Sequence, residues 1–397
     1  MTRDSYLVAG ARTPMGRYGG ALASVRPDDM AALVISEVIE RAGLDGSAVD
    51  EVILGCANQA GEDNRNVARM AGILAGLPYD VPAYTVNRLC ASGMTAVISA
   101  SQSVADGSAD VIVAGGVESM TRAPWVLAKP SKAWQFPPEM AETSLGWRFT
   151  NPALKNHDEG LATLSMGETA ERVAILHGVT REQADRFALE SHRRAVAARE
   201  VVRSDIIGVE TKTGLVDRDE VPRDDASLEA LEKLKPAFAL EGVLTAGSSS
   251  PLADGASALL VVSEEALKRY GLTPVARIVG GASAGVKPSI MGLGPVASTR
   301  KLFDRIGWDV ADLDSVELNE AFAAQALACM QQLGLDESTV NPEGGAIALG
   351  HPLGSSGSRI TWALARRLAR ENGPGSRGLA TLCVGVGQGV SIALEAC

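Results

Sequence analysis

The second half of this chain of 397 residues repeats the texture of the first. Val316-Glu317-Leu318-Asn319 matches Val52-Ile53-Leu54-Gly55, each a short apolar run after an Asp-rich turn. Gly354-Ser355-Ser356-Gly357 opens a helical pattern much as Ala91-Ser92-Gly93 does. Leu379–Cys383, followed by Gly385 and Gly387, matches Val111–Ala114 followed by Gly115-Gly116. A structural unit that occurs twice restricts the fold to duplicated architectures. Within each copy, near-continuous apolar runs alternate with helix-periodic stretches. That alternation predicts a mainly parallel sheet covered on both faces. Two such lobes would bring loops from both strand sets around one crevice, where open α/β sheets bind their ligands.

In the first copy, strands are expected at Tyr6–Gly10, Val52–Cys56, Ala83–Val86 and Asp110–Ala114. Helices are expected at Asp28–Ala42, Arg65–Leu74 and Met94–Ala105. From about Glu118 to Ser249 the pattern breaks. Trp125, Trp134 and Trp147 sit among Pro, Lys and Ser, and a helical stretch rich in Arg, Glu and Ala follows at Met166–Arg203. Apolar strand texture returns at Ala256–Val262. The chain therefore divides into an N-terminal lobe (1–118 plus 250–272), an inserted loop domain (119–249) and a C-terminal lobe (273–397).

The net charge of −11 argues against a nucleic-acid binder, and an aromatic content of 4% argues against a base-stacking surface. An anionic ligand must then be held by local dipoles and a few placed cations. Nothing near Met1 reads as a targeting or membrane segment. The five Cys, an odd number, point to reduced thiols and the cytoplasm. No CxxC pair occurs and there are four His, so no metal site is expected. Nucleophilic chemistry must come from this short set of thiols and imidazoles.

Four positions stand out. Cys90 falls between a strand and a helix, in Asn87-Arg88-Leu89-Cys90-Ala91-Ser92-Gly93, where unpaired N–H groups and the positive helix end favour a thiolate. The competing reading is a buried structural cysteine. His351 lies among small residues in Gly344–Gly354, either as a hydrogen-bonded turn histidine or as the base that activates a thiol. Cys383 ends an apolar strand before Gly385, Gly387 and Gly389, whose backbone must approach something closely. Asn319 is either a helix cap or the holder of a water or carbonyl oxygen. Gly292-Leu293-Gly294-Pro295-Val296-Ala297 fits a loose dinucleotide-binding pattern, but no clear strand precedes it and Pro295 removes an N–H.

Together these segments resemble the thiolase family, the acetyl-CoA acyltransferases. The motifs are Asn87–Gly93, Gly115-Gly116-Val117-Glu118-Ser119-Met120, Asn319-Glu320-Ala321-Phe322, Gly350-His351-Pro352 and Cys383-Val384-Gly385. With Arg12-Thr13-Pro14 near the start and Gly385–Gly389 near the end, the resemblance spans essentially the whole chain. It implies a five-layered αβαβα fold of two duplicated lobes, with the insertion covering coenzyme A. It implies that Cys90 is the acylated nucleophile, His351 its base, and Cys383 the acid/base that moves the α-proton. Asn319 would hold a water that stabilises the enolate oxygen with His351. The backbone N–H groups of Cys90 and Gly385 would line a second oxyanion hole. Arg223 would lie near the adenine end of the coenzyme, Ser250 near the pantetheine, and Met166 and Phe322 along the acyl and pantetheine chain, with Ala246 and Phe238 also in contact. The implied partners are acyl-CoA and coenzyme A as substrates, with no permanently bound cofactor, in a homotetramer or homodimer.

This chemistry suits the residues. A thiolate is a strong nucleophile and a good leaving group, which fits a covalent acyl intermediate. A decarboxylating ketosynthase typically pairs one Cys with two His, whereas His157, His177 and His192 lie in the insertion. Two departures bear on the substrate. Ser165 precedes Met166 where short-chain biosynthetic thiolases usually have His, and Ala230 stands where Ser is common. Gly55–Asn66 and Leu145-Gly146-Trp147-Arg148-Phe149 look most like degradative thiolases of the 3-oxoadipyl-CoA type. Arg65, Arg69 and Arg148 are cations that either meet a substrate carboxylate or serve the fold. The resemblance leaves 3-oxoadipyl-CoA or a medium-chain 3-oxoacyl-CoA as the expected substrate, with an acetoacetyl-CoA-specific acetyl-CoA C-acetyltransferase as the alternative.

Overall fold

A computed structural model describes residues 3–397. Nine strands form its large sheet: β1 (Ser5–Arg12), β2 (Glu51–Gly55), β3 (Ala83–Val86), β4 (Val111–Ser119), β5 (Ala253–Ser263), β6 (Ala276–Gly285), β7 (Ser315–Leu318), β8 (Arg377–Val384) and β9 (Gln388–Ala396). The two-residue strand Gly16–Arg17 adds to β5. The first half runs in the order β3-β2-β4-β5-β1, and the second in the order β7-β8-β9-β6. A parallel bridge between Val316 and Val340 stands beyond β7, where β3 stands beside β2 in the first half. The duplication read from the sequence is therefore a repeated topology. The two halves join where Tyr6 and Leu7 of β1 pair with Arg277 and Ala276 of β6.

The sheet is mixed, not mainly parallel. β2 runs parallel to β3 and β4, and β7 parallel to β8. β5 and β9 run antiparallel to both of their neighbours. The reason lies in the connections. β8 turns directly into β9 through Gly385-Val386-Gly387, and a turn this short can only make a hairpin. Val386 and Gly387 both have positive φ, 60° and 77°, so Gly387 serves the turn itself. In the first half the equivalent hairpin is split open. Ser119 pairs with Asp254, and the whole insertion leaves from between them. The insertion and the glycine turn thus occupy equivalent ends of the two half-sheets.

The helices are α1 (Pro27–Arg41), α2 (Val67–Leu74), α3 (Ser92–Asp106), α4 (Met166–His177), α5 (Arg181–Ala197), α6 (Gly294–Ile306), α7 (Ala323–Leu333) and α8 (Leu353–Arg367), with shorter turns between them. Alternation along each strand sends side chains to opposite faces. Val111 and Val113 pack under α1 and α2, while Ile112 and Ala114 face α3 and α8. Ala380 and Leu382 meet the same α3–α8 layer from the other side. Leu379 and Cys383 face an outer core built from α4, α5, α6 and α7. The layers are helix, sheet, helix, sheet, helix. Helices α4 and α5 each begin with a capping box, Ser165 with Glu168 and Thr180 with Gln183, which fixes their starts.

The central helix pair needs glycine. A Cβ on Gly93 would stand 2.5 Å from the Gly354 carbonyl oxygen, and one on Gly357 would overlap the Met94 backbone nitrogen. The Ser-Gly pattern that opens both helices is thus the close-packing face where the two copies meet. It carries the start of α3, just after Cys90, and the start of α8, just after His351, into contact.

Candidate active site

Cys90 sits in a single turn, Leu89–Ala91, that leads into α3. Leu89 takes a positive φ of 45°. The turn is fixed by local bonds: Leu89 N–H donates to Asn87 Oδ1 at 2.9 Å, and Ser92 Oγ accepts from Arg88 N–H at 2.9 Å and donates to the Leu89 carbonyl at 2.7 Å. The N–H groups of Gly385 and of Cys90 itself pull the Cys90 thiol down. Even so, burial dominates and pushes the thiol up to about 11. The sequence suggests a lowered thiol pKa from the helix end alone. Desolvation, which the sequence does not display, reverses the sign in the ligand-free protein.

Cys383 ends β8 and is buried. Its thiol is pushed well up, first by burial and then by the nearby charges of Cys90 and Cys329. Both thiols therefore carry protons at neutral pH.

The surroundings of His351 are well defined. The backbone of Gly350 turns at a φ of 89°, and His351 N–H donates to the Pro251 carbonyl at 3.2 Å. The ring Nδ1 lies 2.6 Å from Ser356 Oγ. The Pro352 carbonyl lies 2.9 Å from Ser356 Oγ and can take its hydroxyl hydrogen, an arrangement in which Ser356 accepts from His351 Nδ1–H. Nε2 is then the acceptor nitrogen of the ring. It faces Asn319 Nδ2 at 3.4 Å. Burial, with Arg359 nearby, lowers the imidazole pKa to about 3, so the ring stays neutral across the physiological range. Asn319 does not cap α7, whose N-cap is Phe322. Its Oδ1 is buried without a hydrogen-bond partner, the state of an oxygen that awaits a water or a substrate donor.

A cavity of about 100 Å³ opens beside Cys90. Leu89, Gly385, Met166, Trp147, Arg148 and Leu353 are among its walls. Leu353 stands two residues beyond His351, so the cavity reaches the start of α8. The segment Thr143–Phe149 from the insertion forms one side. It is pinned by Asn58 Nδ2 donating to Thr143 Oγ1 at 3.1 Å and by Trp147 Nε1 donating to the Leu164 carbonyl at 3.1 Å.

Sequence reasoning passed over three supporting residues. Ser356 fixes the His351 tautomer. Glu118 is buried, accepts N–H groups from Ala57, Asn58 and Gly354, and ties both halves together. Burial raises it to about 7. Glu320 accepts from Ser191 Oγ at 2.6 Å, from Asn341 Nδ2 at 2.8 Å and from Ile347 N–H at 3.2 Å, which clamps α5 to the loop before His351. Glu118 and Glu320 lie inside the quoted motifs, and their full burial is the signal composition cannot give. Cys56, Asp63 and Glu118 form a buried cluster of metal-ligand type. The Glu118 oxygens are already taken by backbone N–H groups and Cys56 Sγ donates to the Asn58 carbonyl at 2.9 Å, so the cluster serves the backbone.

The proposed coenzyme contacts divide into two groups. Phe238 and Phe322 stack edge to face at 5.7 Å, Phe322 bridges to Ser249, and Ser250 N–H donates to the Ala321 carbonyl. Phe238 also packs on Gly167, beside Met166. Ala246 is exposed in the turn Ala246–Ser248 just before Ser249. Arg223 stands apart and exposed, its N–H donating to Nδ1 of His192. Ser165 caps α4, and Ala230 lies in the short helix Leu228–Glu232. Of the three candidate cations, Arg69 is spent on the Val81 and Tyr79 carbonyls and Arg65 is exposed. Arg148 is the one that lines the cavity. Among the described residues, no helix is long and apolar enough to cross a membrane.

Comparison with known proteins agrees with this geometry. The model of the thiolase N-terminal domain matches residues 5–265, and that of the thiolase C-terminal domain matches residues 272–396. The chain is 50% identical to the beta-ketoadipyl-CoA thiolase of Pseudomonas aeruginosa over 100% of both chains. It is also 50% identical to the 3-oxoadipyl-CoA/3-oxo-5,6-dehydrosuberyl-CoA thiolase of Escherichia coli, over 99% of each. Human mitochondrial 3-ketoacyl-CoA thiolase, solved in complex with CoA, superimposes with a TM-score of 0.92 at 37% identity, covering 100% of this chain and 98% of that one.

Proposed function

The chain belongs to the thiolase family of acyltransferases, and on that premise we propose that it cleaves 3-oxoadipyl-CoA with coenzyme A to acetyl-CoA and succinyl-CoA. The observation that carries the substrate is the 50% identity, over full length, to thiolases named for that compound.

The side chains divide the work as follows. His351 Nε2 takes the Cys90 proton as the sulfur attacks the 3-oxo carbonyl carbon. The N–H groups of Cys90 and Gly385 hold the oxygen that becomes negative. The C2–C3 bond then breaks and its electron pair passes to C2. This leaves the acyl group on Cys90 and the enolate of acetyl-CoA. A water on the free Asn319 Oδ1, together with the His351 imidazolium, stabilises the enolate oxygen. The Cys383 thiol gives its proton to C2, and acetyl-CoA leaves. The Cys383 thiolate takes the proton of an entering coenzyme A thiol, whose sulfur attacks the acyl-Cys90 thioester. Succinyl-CoA departs as the His351 imidazolium returns its proton to the Cys90 sulfur.

The raised pKa of Cys383 supports its role as an acid in this direction. Its nearness to Cys90, which acts on it electrostatically, supports the same assignment. Residues 119–249 are read as the cover of the coenzyme, with Met166, Phe238, Phe322, Ala246 and Ser250 along the pantetheine and Arg223 near the adenine end. Trp125, Leu127, Trp134, Phe136 and Met140 are exposed on the hairpin arm of this insertion. Such an apolar arm fits assembly of copies into a homodimer or homotetramer. Five free cysteines suit a reducing compartment, the cytoplasm.

The test is a thiolysis panel. The highest kcat/KM is expected for 3-oxoadipyl-CoA, ahead of 3-oxohexanoyl-CoA and acetoacetyl-CoA. A preference for acetoacetyl-CoA would replace this reading with an acetyl-CoA C-acetyltransferase.

A further inference from the structure

One charged group in the cavity has no task in the mechanism. Among the described residues, Arg148 is the single Lys or Arg that lines it. Its guanidinium makes two long contacts, Nη2 to Asn58 Oδ1 at 3.4 Å and Nη1 to the Thr143 carbonyl at 3.5 Å. A guanidinium carries five N–H donors, so most of them are unengaged. Among the described residues, no carboxylate lies within ion-pair distance of it. Most other arginines near the core are paired, as Arg12 is with Asp219 and Arg367 with Glu317. Glu118, the other charged group at the cavity, is already satisfied by three backbone N–H groups.

The remaining walls are largely apolar, with Leu89, Met120, Trp147 and Met166 among them. A half-buried cation with free donors, set in an apolar cavity that also holds the nucleophile, is a receptor for an anionic end of the acyl chain. The segment that presents it is held still by Asn58 and by Trp147. Asn58 Oδ1 also accepts the Ala60 N–H at 3.2 Å, so its carboxamide orientation is fixed as it faces Arg148.

We propose that Arg148 selects the substrate by pairing with the distal carboxylate of a 3-oxoacyl-CoA whose reacting carbonyl lies at Cys90, with Asn58 positioning the guanidinium. The inference rests on the dicarboxylic reading above and assigns it to one residue. It adds no covalent step. The competing role is structural, in which Arg148 ties Thr143–Phe149 to Asn58.

The experiment compares kcat/KM for 3-oxoadipyl-CoA with that for 3-oxohexanoyl-CoA, which has a methyl group where the first has the carboxylate. Wild type, Arg148→Met and Arg148→Lys are measured side by side. Hydrogen bonds to charged groups are strong enough that Arg148→Met should lower the ratio of the two by at least about tenfold. Arg148→Lys keeps the charge but loses the planar fork, so its ratio should fall between the other two. Should the Met variant not fold, the Lys variant still decides, because its ratio must fall below that of wild type. A structural role would lower both substrates together and leave the ratio intact, which overturns the proposal. The outcomes separate the two levels of inference. A wild type indifferent to the carboxylate overturns the substrate reading and this one with it. A wild-type preference that survives in both variants overturns Arg148 alone.

Discussion

In a Ser356→Ala variant, His351 loses the acceptor of its Nδ1 hydrogen. The bond is short, 2.6 Å, and both residues are buried. A buried N–H without a partner costs about 1–3 kcal/mol. The imidazole can escape that cost by moving its proton to Nε2, which is the atom needed to receive the Cys90 proton. The competent tautomer is then depopulated by roughly 5- to 150-fold, at about 1.4 kcal/mol per factor of ten. Acylation should slow by the same factor. KM should change little, because Ser356 is buried and its contacts are with His351 and the Pro352 carbonyl. Two assays check this. Steady-state thiolysis should show a fall confined mainly to kcat. Nitrogen NMR of ring-labelled histidine should show His351 protonated on Nδ1 in the wild type and shifted toward Nε2 in the variant. The chain has four histidines, so the signals are few. An unchanged kcat, or a wild-type ring already protonated on Nε2, would refute the tautomer argument.

Two other substitutions probe the fold and the second thiol. Cys383→Ala should still be acylated on Cys90 by acyl-CoA, yet turn over poorly in thiolysis; wild-type turnover would remove Cys383 from its role as the acid. Gly93→Ala places a methyl group 2.5 Å from the Gly354 carbonyl oxygen. Overpacking of that kind costs about 1–3 kcal/mol, so a lower Tm by calorimetry is expected, and an unchanged Tm would mean the α3–α8 contact yields more easily than the geometry indicates.

Much of the fold was legible because the repeat is written in local texture. Val52–Gly55 and Val316–Asn319 look alike, and they fold as the second strands of two half-sheets of equal order. Strand direction was harder to read. An apolar run such as Ala256–Val262 carries no mark of its partner's direction, and β5 runs antiparallel because of how the chain returns to it. At the candidate site, Cys90, His351 and Cys383 stand out in the sequence as reactive residue types near glycines, and Asn319 as a polar end to an apolar run. What supports them does not. Ser356 earns its role from one hydrogen-bond direction, and Glu118 and Glu320 from burial that only tertiary packing creates. The pKa of Cys90 shows the same limit. A helix N-terminus can be read from sequence, but the desolvation that outweighs it depends on what the Thr143–Phe149 segment and the glycine turn shut out. The three candidate cations were equivalent in the sequence, and their separation came from where each side chain ends.

The central claim is that the acyl group passes through Cys90. The direct measurement is mass spectrometry of the protein after incubation with acyl-CoA in the absence of free coenzyme A, followed by peptide mapping. The account predicts one thioester-linked acyl group, on the peptide that contains Cys90, removed by added coenzyme A and absent from Cys90→Ala. Acylation of Cys56, Cys329, Cys383 or Cys397 instead, or turnover by Cys90→Ala, would contradict it.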